Sequence, residues 1–412
     1  MLRLAAPWLL PIDGPPVADG ALLIDDAGKI VAVGPAAMVP VPERAQQLTI
    51  SDAALLPGLV NTHTHLELTG FAGMVEEADF WEWILHVIKI KAARHEEEFF
   101  LQAQAGIRAC WASGVTTVCD TGSTGQVIAA LKDLGASGIA HHEVFGAHPD
   151  ECAGAMKAFS KDLDRLAHQA TGRVHLGVSP HAPYTVSGPL YRASCELARA
   201  HGVPIAVHTA EPPGESALLA DFTGIFADAF TARGVPRPTL EAISPVAWMA
   251  THGVWSDRTL CIHAINVDDA DADILQRHGS AVATCPRSNR RHHLVDPPLR
   301  RYADRKLRIG IGTDSEVSVA PLDLLAEARE AGRLAGWTTR DTLRAVTLGG
   351  AEAIRLAAGT GSLTVGKWAD VVAVRVPPEG DVEHAVLRGG PADVLGTWLG
   401  GRAVHGVGRA AP

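Results

Sequence analysis

Cysteine is scarce in this 412-residue chain: there are six, none in a CxxC pair, scattered between Cys110 and Cys285. That is too few for a disulfide scaffold and fits a reducing, cytoplasmic setting. Positive charge is short as well. Lys and Arg total 36 against 46 Asp and Glu, a formal charge of −10, which excludes attachment to nucleic acid by bulk charge. No run of 18 or more apolar residues exists, so the sequence predicts no transmembrane helix and no membrane attachment. The start, MLRLAAPWLLPIDGPP, has a short apolar run interrupted by Pro7 and Pro11, so a secretory signal is not expected. Low-complexity tracts and short internal repeats are also missing. What is present is a hydrophobic fraction of 47%, enough for a large core, and 19 histidines, nearly as many as all Phe, Trp and Tyr together.

The length allows two to four domains, or one large barrel with a smaller partner. Both ends read as β structure. Residues 20–34, GALLIDDAGKIVAVG, have a hairpin pattern, and residues 365–405 repeat the theme with GKWADVVAVRV, AVLRGG and DVLGTWLGGRAVHG. The two ends are expected to pair into one β domain, residues 1–56 and 358–412, around a central segment 57–357.

That segment carries eight apolar runs: 55–65, 114–122, 138–146, 174–183, 203–211, 259–266, 280–289 and 307–315. Continuous Val/Ile/Leu runs suit strands buried on both faces of a parallel sheet. Amphipathic stretches such as 98–111, 190–201 and 320–334 separate them. Eight such units predict a (β/α)8 TIM barrel, with an open doubly wound sheet as the alternative. The runs begin apolar and end polar: the first in His63 and His65, the fourth in His181, the fifth in His208 and Glu211, the sixth in His263, the eighth in Asp314. In a barrel, one rim would collect them all.

His63 and His65 are two apart on a strand, so both side chains point the same way. Alone, such a pair is weak evidence. With His208 and Asp314 at other strand ends it becomes a ligand set of three imidazoles and one carboxylate, suited to one divalent ion, Zn2+ first and Fe2+ second. Such an ion makes hydroxide available at neutral pH. Glu211, three residues after His208, reads either as a proton carrier for that chemistry or as a cap or ion-pair partner of the next helix. His263 reads as a second catalytic group or as a buried structural histidine.

The ordered strings PGLVNTHTHLEL, VHTAEPPGE, CIHAIN, TCPRSN and IGTDSEVS, with GKWADVVAV near the end, resemble the amidohydrolase superfamily over nearly the whole chain. The resemblance implies a (β/α)8 barrel with a β-sandwich built from both chain ends. It implies metal ligands at His63, His65, His208 and Asp314, and proton transfer by Glu211, His263 and Asp314. Dinuclear members carry a carboxylated Lys at the end of a middle strand. Here strands three and four end HHEVFG and SPHAP, without Lys, which points to the mononuclear deaminase and chlorohydrolase branch. Within it, SPHAPYTVS, TCPRSN and ADFWEWI look most like the aminodeoxyfutalosine deaminases of menaquinone biosynthesis, whose substrate is a 6-aminopurine nucleoside. Deaminases of adenosine, methylthioadenosine or guanine and triazine chlorohydrolases are the alternatives; a non-catalytic scaffold is a distant one, because every ligand position is filled.

On the substrate side, His181 reads as a base or ribose contact, or as a rim hydrogen bond. Ser288 and Asn289 of TCPRSN are expected to join it. Trp81 and Trp83 of DFWEWI would not share a helix face, so at most one, Trp83, lines the pocket. Among Arg287, Arg290 and Arg291, Arg287 lies nearest a strand end and is the candidate for a substrate carboxylate, the other reading being a solvated basic face. Residues 212–245 form a long insert that reads as a lid. A homodimer is expected from the family resemblance alone.

Overall fold

The computed structural model describes residues 1–77, 79–238 and 244–408. In chain order the strands are β1 (Leu2–Leu9), β2 (Val17–Ile24), β3 (Ile30–Pro35), β4 (Gln46–Thr49), β5 (Ala53–Pro57), β6 (Leu59–Thr64), β7 (Val115–Gly122), β8 (Gly138–Val144), β9 (Val174–Pro180), β10 (Ile205–Thr209), β11 (Thr259–His263), β12 (Ala281–Thr284), β13 (Arg308–Ile311), β14 (Val371–Arg375), β15 (Val394–Leu399) and β16 (Arg402–Gly406). They form two sheets of eight strands.

The first sheet joins the chain ends. Its order is β16-β15-β14-β5-β1-β2-β3, with β4 beside β1. The seam is the antiparallel pairing of β14 with β5, from Val371 opposite Pro57 to Arg375 opposite Ala53. The apolar start of the chain is β1, and the hairpin read at 20–34 is β2 and β3. One face of this sheet buries Leu4, Leu22, Ile24, Leu55, Val371 and Trp398 together. The other contributes Leu56, Val372 and Val374 to the core shared with the barrel helices.

One stretch differs from the strand reading of AVLRGG. Val382–Arg388 is a helix. Asp381 caps it by accepting a hydrogen bond from His384 N at 3.0 Å, and Val382 and Val386, four apart, are buried on one side. A local cap and an i,i+4 apolar pair outweigh the strand-like appearance of three apolar residues before two glycines.

The second sheet is the barrel: β6 to β13 in sequence order, with parallel pairing. A parallel bridge between Thr64 and Asp314 brings its first and last strands together. Small side chains fill much of the interior: Val60, Cys119, Ala206, Ala281 and Ala283 pack with Ile139, Leu260 and Ile262, closed below by Ala351, Ala353 and Ile354. Helices wrap the outside, among them Glu96–Ala112, Gly188–His201 and Leu324–Ala335. The last begins later than the amphipathic stretch at 320–334 because Asp323 supplies its N-cap, accepting from Ala326 N at 2.9 Å.

Of the 212–245 insert, residues 239–243 lie outside the described residues. The rest contains helices Pro213–Ala220 and Ile225–Ala232. Their Leu218, Phe226 and Phe230 pack with Tyr184 and, from the helix Phe80–Ala92, with Phe80, Trp81 and Ile84. The insert is thereby one wall beside the carboxyl ends of the strands. No described helix is long and apolar enough to cross a membrane.

Candidate active site

Residues from β6, β10, β11, the helix Pro286–His293 after β12 and the turn after β13 converge on one rim of the barrel. His63 Nε2 and His65 Nε2 each lie 3.6 Å from Asp314 Oδ1. His208 Nε2 lies 3.4 Å from His65 Nε2, and His63, His65 and His208 each offer a ligand atom within 4.8 Å of the others. A tetrahedron with metal–nitrogen bonds of about 2.0–2.1 Å has edges of about 3.3 Å, so the shortest of these separations suit a shared ion. Gly312 permits the arrangement. A Cβ at this position would stand 2.8 Å from His63 Cβ, so only glycine lets the end of β13 lie against the first histidine.

The backbone is held in rarely populated conformations at the same rim. Ala210, His263, Ala264 and Asp314 all have positive φ, at 53°, 67°, 48° and 58°. Non-glycine residues occupy this region only when the surroundings enforce it, commonly at functional sites. Here Asp314 N donates to His63 O at 3.1 Å and Asn266 N to Ala210 O at 2.8 Å.

Charge states follow from burial and neighbours. Burial above all holds the imidazoles in their neutral form: among the proposed ligands His63 falls to about 3, His65 is lowered and His208 lies well below its ordinary value, and neighbouring His181 also falls to about 3. Burial would raise Asp314, but the close approach of His63 and His65 keeps it well below the usual carboxylate range. Three neutral nitrogens and an ionised oxygen are the protonation states that a divalent cation needs. His63 Nε2 is buried without a hydrogen-bond partner, a cost that a ligand would remove.

Glu211 and His263 form the second half of the site. His263 Nε2 lies 3.5 Å from Glu211 Oε1, and its Nδ1 donates to Asn289 Oδ1 at 3.0 Å. Burial pushes the Glu211 carboxyl up, but His263 and His293 outweigh it and hold the group at about 2. Its backbone is fixed by Asn266 Nδ2, which donates to Glu211 O at 2.7 Å.

The substrate-side residues are placed as follows. His181 Nδ1 pairs with Thr185 Oγ1 at 2.8 Å, and its ring centroid is 4.8 Å from that of His208. Ser288 Oγ donates to Asp314 Oδ2 at 2.5 Å, so Ser288, like Asn289, already serves a site side chain. Trp81 stands edge-on to Phe226, whereas Trp83 packs on His292 at 4.4 Å with its indole N–H buried and unpartnered. Arg287 lies beside Glu327, Nη1 to Oε1 at 3.8 Å. Arg290 is committed to Asp296 and Glu330 on the surface.

Three groups without a role in the sequence reading also enter. His293 Nε2 lies 3.2 Å from Glu211 Oε1. Glu143, ending β8, has a buried, unpartnered Oε1 and groups with His181 and His208. Lys91 reaches Glu67 at 2.6 Å beneath the loop after β6. Glu143 obeys the strand-end pattern and was legible in HHEVFG. His293 ends a helix, where no strand-end pattern reaches.

Comparison with known proteins gives a consistent picture. The amidohydrolase family matches residues 54–404. A 5-methylthioadenosine/S-adenosylhomocysteine deaminase of Symbiobacterium thermophilum is 27% identical, covering 96% of this chain and 92% of its own. An aminodeoxyfutalosine deaminase of Deinococcus radiodurans is 31% identical over 73% of each chain. The crystal structure of an adenosine deaminase from Xanthomonas campestris with bound zinc superposes with a TM-score of 0.85 at 26% identity, covering 98% of this chain and 92% of that one.

Proposed function

This chain belongs to the amidohydrolase family, and from that premise we propose that it is a metal-dependent hydrolase that deaminates 6-aminopurine nucleosides. The observation that carries the reading is one rim on which an ionised Glu211, paired with His263, stands beside three neutral imidazoles and Asp314. His63, His65, His208 and Asp314 would hold the ion, with zinc favoured by the nitrogen-rich set. When bound, the ion supplies a Lewis acid that lowers the pKa of water.

The chain's own groups do the rest. The water oxygen bonds to C6 of the purine, and Glu211 carries a water proton to the adjacent ring nitrogen. His263, oriented by Asn289, stabilises the attacking oxygen. The C6–N bond breaks, a second proton goes to the amine, and the products are ammonia and the oxopurine nucleoside.

Among substrates we place aminodeoxyfutalosine first, which would set the enzyme in menaquinone biosynthesis. The 31% identity to the Deinococcus enzyme supports this. So does Arg287. Its guanidinium stands 3.8 Å from Glu327 Oε1, too far for a hydrogen bond, and is partly exposed, so its donors are open to a substrate benzoate. The test is ammonia release and the adenine-to-hypoxanthine absorbance change with aminodeoxyfutalosine, adenosine, methylthioadenosine and guanine. We expect the highest kcat/KM with aminodeoxyfutalosine. Faster turnover of methylthioadenosine or adenosine would move the assignment to that substrate, and no release from any aminopurine would refute deamination.

A further inference from the structure

His293 is not a metal-ligand candidate and does not follow a strand, yet it makes the shortest side-chain contact to Glu211. The backbone around Glu211 is fixed without it. Asn266 holds the Glu211 carbonyl, and Ala210 N donates to Glu215 Oε2 at 2.5 Å. Those bonds leave the three side-chain torsions of Glu211 unset. Among the described residues two histidines pair with the carboxylate, both at the same oxygen: His263 Nε2 at 3.5 Å and His293 Nε2 at 3.2 Å from Oε1. Glu211 Oε2 takes no hydrogen bond among the described residues.

The two histidines are not equivalent. His293 Nε2 is hydrogen-bonded to Glu211 Oε1 at 3.2 Å, whereas His263 Nε2 stands farther off at 3.5 Å and its Nδ1 proton goes to Asn289 Oδ1, which can only accept. The donor to Oε1 is therefore His293 Nε2–H. Its ring is held by aromatic packing on Phe80 at 4.7 Å, and Phe80 in turn stacks on Trp83 at 6.0 Å. The helix Phe80–Ala92 is thus connected to the orientation of one carboxylate.

We infer that His293 is a positioning residue: its Nε2–H pins Glu211 Oε1 so that Oε2 is the oxygen that exchanges the proton. This rests on the proton role proposed for Glu211. A glutamine at 293 keeps an N–H at a similar reach, whereas leucine or phenylalanine removes it, and phenylalanine preserves the packing on Phe80.

The test uses zinc-loaded full-length H293Q, H293L and H293F, with kcat and KM on the best substrate of the panel and crystal structures of each. H293L and H293F should lose about tenfold or more in kcat, the scale of one hydrogen bond to a charged group. KM should hold, H293Q should stay within about threefold of wild type, and Glu211 should swing away in H293L and H293F only. An unmoved Glu211 in H293F, or H293Q as slow as H293F, overturns the inference. If the wild type deaminates no aminopurine while Glu211 still swings in H293F, the proposed reaction falls and the positioning contact stands.

Discussion

Glu211 is a buried carboxylate kept ionised by two imidazoles on one oxygen, which suits a base that must first take a proton at neutral pH. Substituting the amide tests this with little change in shape. Glu211→Gln can still accept from His293 but cannot carry a proton. We expect kcat to fall by about 10²- to 10⁴-fold while bound zinc stays at the wild-type level, because Glu211 is outside the proposed ligand set. Ammonia release with parallel elemental analysis decides it; turnover within tenfold of wild type, or loss of the metal, removes Glu211 from its role. At this scale much of the site was legible. His63, His65, His208, His263 and Asp314 end apolar runs, and a parallel barrel sends all such ends to one rim. Ser288 and Asn289 were legible as neighbours of the site, but not as supports of Asp314 and His263. That distinction depends on how the helix Pro286–His293 leaves β12, which no periodicity encodes.

The helix Phe80–Ala92 supplies more than aromatic wall. Its last turn carries Lys91, whose ammonium reaches Glu67 Oε1 at 2.6 Å and Ser123 Oγ at 3.0 Å, tying the loops after β6 and β7 together. Burial would raise the Glu67 carboxyl, but Lys91 and Thr124 hold it at about 2. Its folded value lies below its unfolded value of about 4.3, so its contribution to stability is full above that value and is lost as the pH falls toward 2. Lys91→Met leaves a buried carboxylate unpaired, at a cost of about 3 kcal/mol. In the variant the Glu67 value should instead rise above normal, so protonation would favour the folded state. Wild type and variant should differ most in melting temperature near neutral pH and converge as the pH falls to 4. A gap that widens toward pH 4 would show that the pair is not what holds the helix. The elements themselves were readable where burial is nearly uniform: each of the eight barrel strands lies inside one of the eight runs read from the sequence. The helix Val382–Arg388 was not, because three apolar residues before two glycines look alike in either state until Asp381 is seen to cap it.

The barrel as a whole has a seam, and the proposed ligands cross it. β6 and β13 share no extended ladder; they meet through the Thr64–Asp314 bridge, the bonds from Thr313 N and Asp314 N to His63 O at 3.1 Å, and Asn61 Nδ2 donating to Thr313 Oγ1 at 2.8 Å. His63 and His65 belong to the first side of this seam, Asp314 to the second, and His208 to β10 at another point of the ring. An ion held by all four would therefore join the ends of the sheet as well as serve the chemistry. A ligand that binds only the folded state stabilises it by about 4 kcal/mol at a free concentration 1,000 times its Kd. Removing metal with a chelator should lower the melting temperature, and restoring one equivalent of zinc per chain should recover it. Amide exchange should slow on zinc addition in peptides covering 59–66 and 308–318, and change little in the terminal sheet. His63→Asn and Asp314→Asn should abolish the recovery, whereas Glu211→Gln should retain it. If chelated and zinc-loaded protein melt together, or recovery needs two equivalents, the single-ion assignment across the seam is wrong. If recovery occurs with exchange unchanged at the seam, the ion binds elsewhere.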